Sequence, residues 1–226
     1  MNHSMPANPA IVDYDNDGFI DTVYIGDLGG NMWRFKFCLG KDSVCNKLNW
    51  TGGRLFASST GVIRPIFTSA AVARDAAWNL WVYWGTGDKT DPTAANAQEK
   101  LYALKDNDRT TTYGISDLEN ITTGIYAVDS AKQGWYINFS GGGEKILAEP
   151  TVFGGVVYLT SYTPATGNDP CSQAGTGSLY ALNYTTGSGI FSGGARSMIL
   201  GTGIPSPPII SMKPGNVATG RKEQTQ

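Results

Sequence analysis

Histidine is nearly missing from this 226-residue chain, with one copy, and cysteine occurs only three times. No CxxC pair and no histidine cluster occurs, so neither a zinc centre nor a dithiol redox site has a donor set to build on. The lone His3 sits near the start and reads as a solvated side chain. Charge is also scarce, with 17 Lys and Arg against 19 Asp and Glu, a net of −2 and 16% charged residues. Such a balance projects no basic field toward nucleic acid or anionic lipid, and neither is an expected partner. No apolar run approaches the roughly 20 residues of a membrane helix. The most hydrophobic region, residues 62–84, is broken by Arg64, Pro65, Arg74 and Asp75. The opening Met1-Asn2-His3-Ser4-Met5-Pro6 lacks the charged and apolar regions of a signal peptide, so either this chain is not exported by that route or its signal lies upstream. Cys38 and Cys45 are close enough to close a small loop, and a disulfide between them fits an oxidising compartment. Cys171 is then free or paired outside the chain.

Glycine and aromatics are plentiful, with 29 Gly, 11 Tyr and 6 Trp. Gly-rich turns between short aromatic and β-branched runs mark an all-β sandwich, barrel or propeller. The length suits one sizeable core, as one domain or two small ones.

The stretch Asp13-Tyr14-Asp15-Asn16-Asp17-Gly18-Phe19-Ile20-Asp21 sets four carboxylates at alternating positions around a glycine. Calcium takes six to eight oxygen ligands, and a loop of this spacing supplies side-chain oxygen from its first, third and fifth residues, a backbone carbonyl from the seventh and a direct or water-mediated contact from the ninth. Those are Asp13, Asp15, Asp17, Phe19 and Asp21. Gly18 falls at the sixth position, where the turn needs positive φ. An EF-hand places a bidentate Glu three residues after the ninth position. Tyr24 stands there instead, so flanking helices are not expected. An acidic turn without an ion is the competing reading, since Asp, Asn and Gly form turns anyway. Mutual repulsion of four carboxylates in nine residues favours the ion.

Beyond this loop the chain is strand-like. Thr22-Val23-Tyr24-Ile25 leads through Gly29-Gly30-Asn31 into Met32-Trp33-Arg34-Phe35-Lys36-Phe37, a hairpin whose second strand has the period-2 pattern of half burial. A related unit runs from Phe67-Thr68-Ser69-Ala70-Ala71-Val72 through Leu80-Trp81-Val82-Tyr83-Trp84-Gly85 and closes with Leu101-Tyr102-Ala103-Leu104. Another runs from Glu149-Pro150-Thr151-Val152 through Val156-Val157-Tyr158-Leu159 and closes with Leu179-Tyr180-Ala181-Leu182. A fourth copy begins at Pro205-Ser206-Pro207-Pro208-Ile209-Ile210. Repeats of this kind cannot bury their faces alone, which predicts an incomplete β-propeller of about three to four blades over residues 1–212, with the calcium loop at 13–21 and a mobile tail at 213–226. The ring is then cut from a longer protein or completed by another polypeptide. A β-sandwich is the alternative that needs no missing partner. The long connections at 90–99 and 106–123 are expected to carry function or contacts, with a helical turn over 93–98 after Asp91-Pro92.

These residues resemble the C-terminal propeller of PilY-type proteins, the tip-associated assembly and adhesion factors of bacterial type IV pili. The resemblance is carried by Ser4-Met5-Pro6-Ala7 before the Asp-rich loop, Val23-Tyr24-Ile25-Gly26-Asp27-Leu28-Gly29-Gly30-Asn31-Met32-Trp33-Arg34-Phe35, Trp84-Gly85-Thr86-Gly87, Leu101-Tyr102-Ala103-Leu104-Lys105-Asp106, and Asp169-Pro170-Cys171 with Gly175-Thr176-Gly177-Ser178-Leu179-Tyr180-Ala181-Leu182. It implies a non-enzymatic, calcium-binding module at the pilus tip on the outer cell surface, supporting pilus assembly and surface attachment. It places calcium on Asp13, Asp15, Asp17 and Asp21. Implied partners are minor pilins of the tip, the rest of a longer PilY-like protein, and a host or surface ligand. The family's large N-terminal region and several of its blades are not among these 226 residues.

Two rivals remain. A quinoprotein dehydrogenase is also a calcium-containing propeller, but its quinone stacks on an adjacent cysteine pair that this chain lacks, and Asp88, Asp91, Asp106 and Asp108 read as turn residues. An integrin-like calcium propeller would have the same physics without the pilus. The sequons at Asn49, Asn120 and Asn183 permit glycosylation. Calcium occupancy is expected to fix the hairpin at Trp33.

Overall fold

The computed structural model describes residues 2–37, 49–59, 61–95, 98–108, 110–139, 142–166 and 174–212. All three cysteines, the disulfide expected of Cys38 and Cys45, and the tail at 213–226 lie outside them. Among the described residues thirteen strands form three sheets. Blade 1 has the order β1 (Ala10–Val12), β2 (Thr22–Gly26), β3 (Met32–Lys36) and β4 (Thr51–Phe56). Blade 2 has β5 (Ala71–Arg74), β6 (Leu80–Gly85), β7 (Lys100–Lys105), β9 (Gly134–Asn138) and, at its outer edge, the parallel β8 (Glu119–Asn120). Blade 3 has β10 (Thr151–Phe153), β11 (Val156–Thr163), β12 (Thr176–Asn183) and β13 (Ser197–Thr202). The chain is thus an all-β partial propeller, and its three sheets do not close a ring. No helix among the described residues is long and apolar enough to cross a membrane.

The repeats read from sequence are blades, with one correction. Leu-Tyr-Ala-Leu forms the third strand of blades 2 and 3, and a fourth lies outside it: β9 pairs with β7 and β13 with β12. The outer strands of blades 1 and 3 escape the repeat pattern because they lie at sheet edges, where packing does not demand the same residues: all six residues of β13 are exposed, and β4 is buried only at Leu55 and Phe56, whereas β9 is covered by β8 and buries Trp135 and Ile137. Residues 205–212, where a fourth copy was expected to begin, form no strand and run beside blade 3, where the Thr160 and Thr151 hydroxyls donate to the carbonyls of Ser206 and Pro208.

Alternation along blade 2 explains the packing. Every residue of β6 is buried, so the strand shows no inside-outside alternation in its hydrophobicity. Instead the two-residue period sorts its side chains between two cores. Leu80, Val82 and Trp84, with Tyr102 and Leu104 of β7, pack on Tyr24, Met32, Leu55 and Phe56 of blade 1. Trp81, Tyr83, Leu101 and Ala103 pack with Val157, Leu159 and Leu182 of blade 3. Trp84 stacks on Tyr102 with ring centres 5.0 Å apart, and Phe56 lies 5.0 Å from Tyr102. Two glycines let the chain pass between blades. A Cβ on Gly26 would collide with Ile66, and one on Gly85 with Ile146, the residues that lead into blades 2 and 3.

A buried ion pair joins the first two blades. Arg34 and Asp106 have side chains 3% and 0% exposed, and the Tyr24 hydroxyl donates to Asp106 at 2.6 Å. The period-2 pattern of β3 is borne out, and one expectation is corrected. On β3 the inward residues are Met32 and Arg34, while Trp33 and Phe35 are half-buried on the face away from blade 2. Asp106 is no turn residue but the anion that balances Arg34. Asp88, Asp91 and Asp108 do stabilise turns, accepting the amides of Thr90, Ala94, and Thr110 and Thr111. The turn at Asp91 does not continue as a helix at residues 94 and 95. Two sequons are turn chemistry as well: the Asn120 and Asn183 carboxamide oxygens accept the amides of Thr122 and Thr185. The connection at 106–123 does make contacts, since Tyr113 bridges to Phe56 at the edge of blade 1 before β8 covers the edge of blade 2.

Removing one member of the buried pair strands the other charge, so Asp106→Ala is expected to lower stability by about 3–5 kcal/mol. The double variant Arg34→Met with Asp106→Leu should lose much less, as read by urea unfolding. Gly85→Val, which overfills the Ile146 contact, should cost roughly 1–3 kcal/mol in the same assay.

Candidate metal centre

Strand β1 ends at Val12 and β2 begins at Thr22, so residues 13–21 are the loop of an antiparallel hairpin, closed by the Asp21 amide on the Val12 carbonyl at 2.9 Å. The loop is wound by its own carboxylates. Asp13 accepts the amides of Asp17 at 3.2 Å and Gly18 at 2.8 Å, and Asp15 also accepts Asp17 at 3.2 Å. Asp21 is fully buried and accepts the Tyr14 amide at 2.5 Å. Gly18 has φ +94°, the backbone conformation its sequence position required, and Asn16 at φ 59° supplies a second left-handed residue. Asn tolerates that region better than most residues, a signal in the sequence that the carboxylate spacing overshadowed.

The structure brings Asp13, Asp15 and Asp21 together, with one oxygen from each lying within 4.8 Å of the others. Asp17 is outside that trio and accepts the Phe19 amide at 2.8 Å, while the Phe19 side chain is 72% exposed. Ligands 2.3–2.6 Å from a shared calcium lie at most about 5 Å apart, so the trio is compact enough for one ion. An all-oxygen donor set suits a hard cation. Desolvation, then the neighbouring carboxylates of Asp17, Asp21 and Asp13, push the Asp15 carboxyl above its ordinary value. Crowded negative charge of this kind is what a divalent cation relieves.

The loop is also tied to blade 2. Arg74, the last residue of β5, donates to the backbone carbonyls of Asp13 and Tyr14. Its guanidinium lies 4.7 Å from the centre of the Tyr14 ring and 5.4 Å from that of Trp78. Trp78 is 68% exposed and holds φ 65°, an uncommon conformation for an aromatic residue. Nothing in the one-dimensional pattern distinguished Arg74 from any other strand-end cation.

A second pattern recurs in blades 1 and 2. In both Asp27-Leu-Gly-Gly-Asn31-Met-Trp33 and Asp75-Ala-Ala-Trp-Asn79-Leu-Trp81 the aspartate clamps a turn. Asp27 accepts the Asn31 amide at 2.9 Å and the Trp33 indole at 2.7 Å, and Asp75 accepts the Asn79 amide and the Trp81 indole, both at 2.9 Å. Burial raises the Asp75 carboxyl, but the Trp81 and Asn79 hydrogen bonds outweigh it and hold the group below its ordinary value. The D-x-x-x-N-x-W spacing was visible in the sequence and is structural.

Comparison with known proteins places the chain. A family model described as the PilY1 beta-propeller domain matches residues 4–133. A type IV pilus biogenesis factor PilY1 homolog of Xylella fastidiosa is 27% identical over 228 residues, covering 83% of this chain and 14% of that protein. The type IV pilus biogenesis factor PilY1 of Pseudomonas aeruginosa PAO1 is 27% identical over 241 residues, covering 80% of this chain and 20% of that protein. The chain therefore spans a fifth or less of the length of these relatives. The crystal structure of the Pseudomonas aeruginosa PilY1 C-terminal domain shares the fold, with a TM-score of 0.62 and 21% identity over 81% of this chain and 48% of that one. With more than half of its residues matched by that family's model, the chain belongs to the PilY1 β-propeller domain family.

Proposed function

We propose that this chain is a non-enzymatic, calcium-binding propeller module of a type IV pilus biogenesis protein, acting in pilus assembly and surface attachment at the pilus tip. The observation that carries the cation reading is the convergence of Asp13, Asp15 and Asp21 within 4.8 Å in one hairpin loop. Family membership supports the pilus reading. In this reading Asp13, Asp15 and Asp21 hold calcium, with Asp17 and the Phe19 carbonyl completing the shell as the loop closes. The partners are minor pilins of the tip or the remainder of a longer PilY1-type polypeptide.

The ion's influence runs along a different route from the one the sequence suggested. The hairpin at Trp33 is already braced by Asp27 and Asn31, independently of the Asp loop. What the loop does touch is Arg74, and through it Trp78 and blade 2. Calcium that neutralises the carboxylates would firm the backbone carbonyls on which Arg74 rests, stiffening the junction of blades 1 and 2.

Free calcium a hundredfold above its dissociation constant should stabilise the fold by about 2.7 kcal/mol, read as a higher melting temperature than in chelator. Asp15→Asn and Asp13→Ala should abolish that difference. Identical melting of the wild type with calcium and with chelator would overturn the cation reading. Immobilised chain should retain minor pilins from a pilus preparation, and loss of all such retention would overturn the pilus reading while leaving the first test untouched.

A further inference from the structure

Away from the Asp loop, where a loop of blade 2 meets the β12–β13 connection of blade 3, the surface holds an open hollow of about 620 Å³. Arg196 lines it and joins its two sides. Its Nε donates to the Gly187 carbonyl of blade 3 at 2.8 Å, Nη1 to the Ile121 and Thr122 carbonyls of blade 2 at 2.7 and 3.1 Å, and Nη2 to the Gly124 carbonyl. A guanidinium has five N–H groups, so one on Nη2 has no partner among the described residues. All four acceptors are neutral carbonyls. Among the described residues the ion pair is Arg34 with Asp106, and no carboxylate lies within ion-pair distance of Arg196. Its half-buried charge is therefore oriented by two blades and balanced by neither. Desolvation holds the group below its ordinary basicity, as expected of a cation lacking a counter-ion.

The remaining lining is hydroxyl, glycine and one aliphatic side chain. Thr123 is exposed, and its hydroxyl makes no hydrogen bond within the described chain. The Ser188 hydroxyl bonds only to that of Thr186, at 3.0 Å. Ile125 is 60% exposed at the rim. We propose that this hollow binds an acidic saccharide, its carboxylate on Arg196 Nη2, its ring hydroxyls on Thr123 and Ser188, and an apolar ring face on Ile125. A single guanidinium matches a monoanionic carboxylate, whereas the hollow offers no second cation for a doubly charged phosphate or sulfate. Hydroxyls beside an apolar patch suit a sugar ring, which has both edges. The orienting carbonyl bonds are already made before any ligand arrives, which lowers the ordering cost of binding.

Calorimetric titration of the full chain with trigalacturonate, neutral maltotriose and inorganic sulfate tests this. Gly124→Glu is the informative variant, because a side chain there meets open space and offers Arg196 an internal counter-ion, leaving the blade clasp intact. Trigalacturonate should bind the wild type, with maltotriose and sulfate each weaker by roughly tenfold or more, and Gly124→Glu should lose roughly tenfold in affinity at an unchanged melting temperature. Thr123→Val should weaken trigalacturonate without affecting sulfate. Absence of trigalacturonate binding, equal binding of maltotriose or sulfate, or full affinity in a folded Gly124→Glu variant would overturn the assignment. None of these outcomes bears on calcium, since the hollow shares no residue with the Asp loop.

Discussion

Burial of both faces of the middle blade is the constraint on which the structure depends. A sheet has two sides, and in this five-stranded one β6 and β7 hide both by giving alternate side chains to opposite neighbours. The two hydrophobic layers are thus coupled through the same short strands. Aromatic rings do most of the filling: Trp84 and Tyr102 on one side, Trp81, Tyr83 and Trp135 on the other, all nearly inaccessible to water. Large rigid rings bury much surface while ordering few torsions, which suits a thin layer between stacked sheets. Among the described residues blades 1 and 3 each have one such layer, and their opposite faces keep half-buried aromatics such as Trp33, Phe35 and Tyr158.

Polar groups then specify how the blades meet. The Arg34–Asp106–Tyr24 cluster joins blades 1 and 2 inside an apolar layer, where a wrong register would leave charges unpaired. Arg196 does a related task between blades 2 and 3 with carbonyls in place of a carboxylate. The difference matters for chemistry. A neutralised arginine is a fastener, whereas one surrounded by carbonyls still carries an unbalanced charge at the surface.

The Asp-rich loop sits at the innermost strand pair of blade 1, and Arg74 of blade 2 grips the backbone of its first two residues. Negative side chains and a positive clamp therefore act on the same few residues. That arrangement ties the charged loop directly to the blade junction.

The all-β class, the blade repeats and the Asp-rich hairpin loop were legible from residue order, because each rests on local chemistry: turn-forming glycines, two-residue alternation and carboxylates two apart. Gly18 could be assigned positive φ for the same reason. The outer strands β4 and β13 were not legible, since an edge strand needs only to supply backbone hydrogen bonds and leaves little mark in side-chain pattern, and β9, which buries Trp135 and Ile137 between β7 and β8, was missed because a long connection separates it from β7. Asp106 looked like its turn-forming neighbours Asp88 and Asp108, and only the tertiary structure set it against Arg34, 72 residues earlier in the chain. Arg74 and Arg196 were likewise ordinary surface cations in one dimension. What the sequence determined by itself was the kind of unit and the loop in which carboxylates converge. The tertiary structure alone decided which charges meet, because long-range pairing depends on how separate sheets stack and not on the spacing of residues within any one of them.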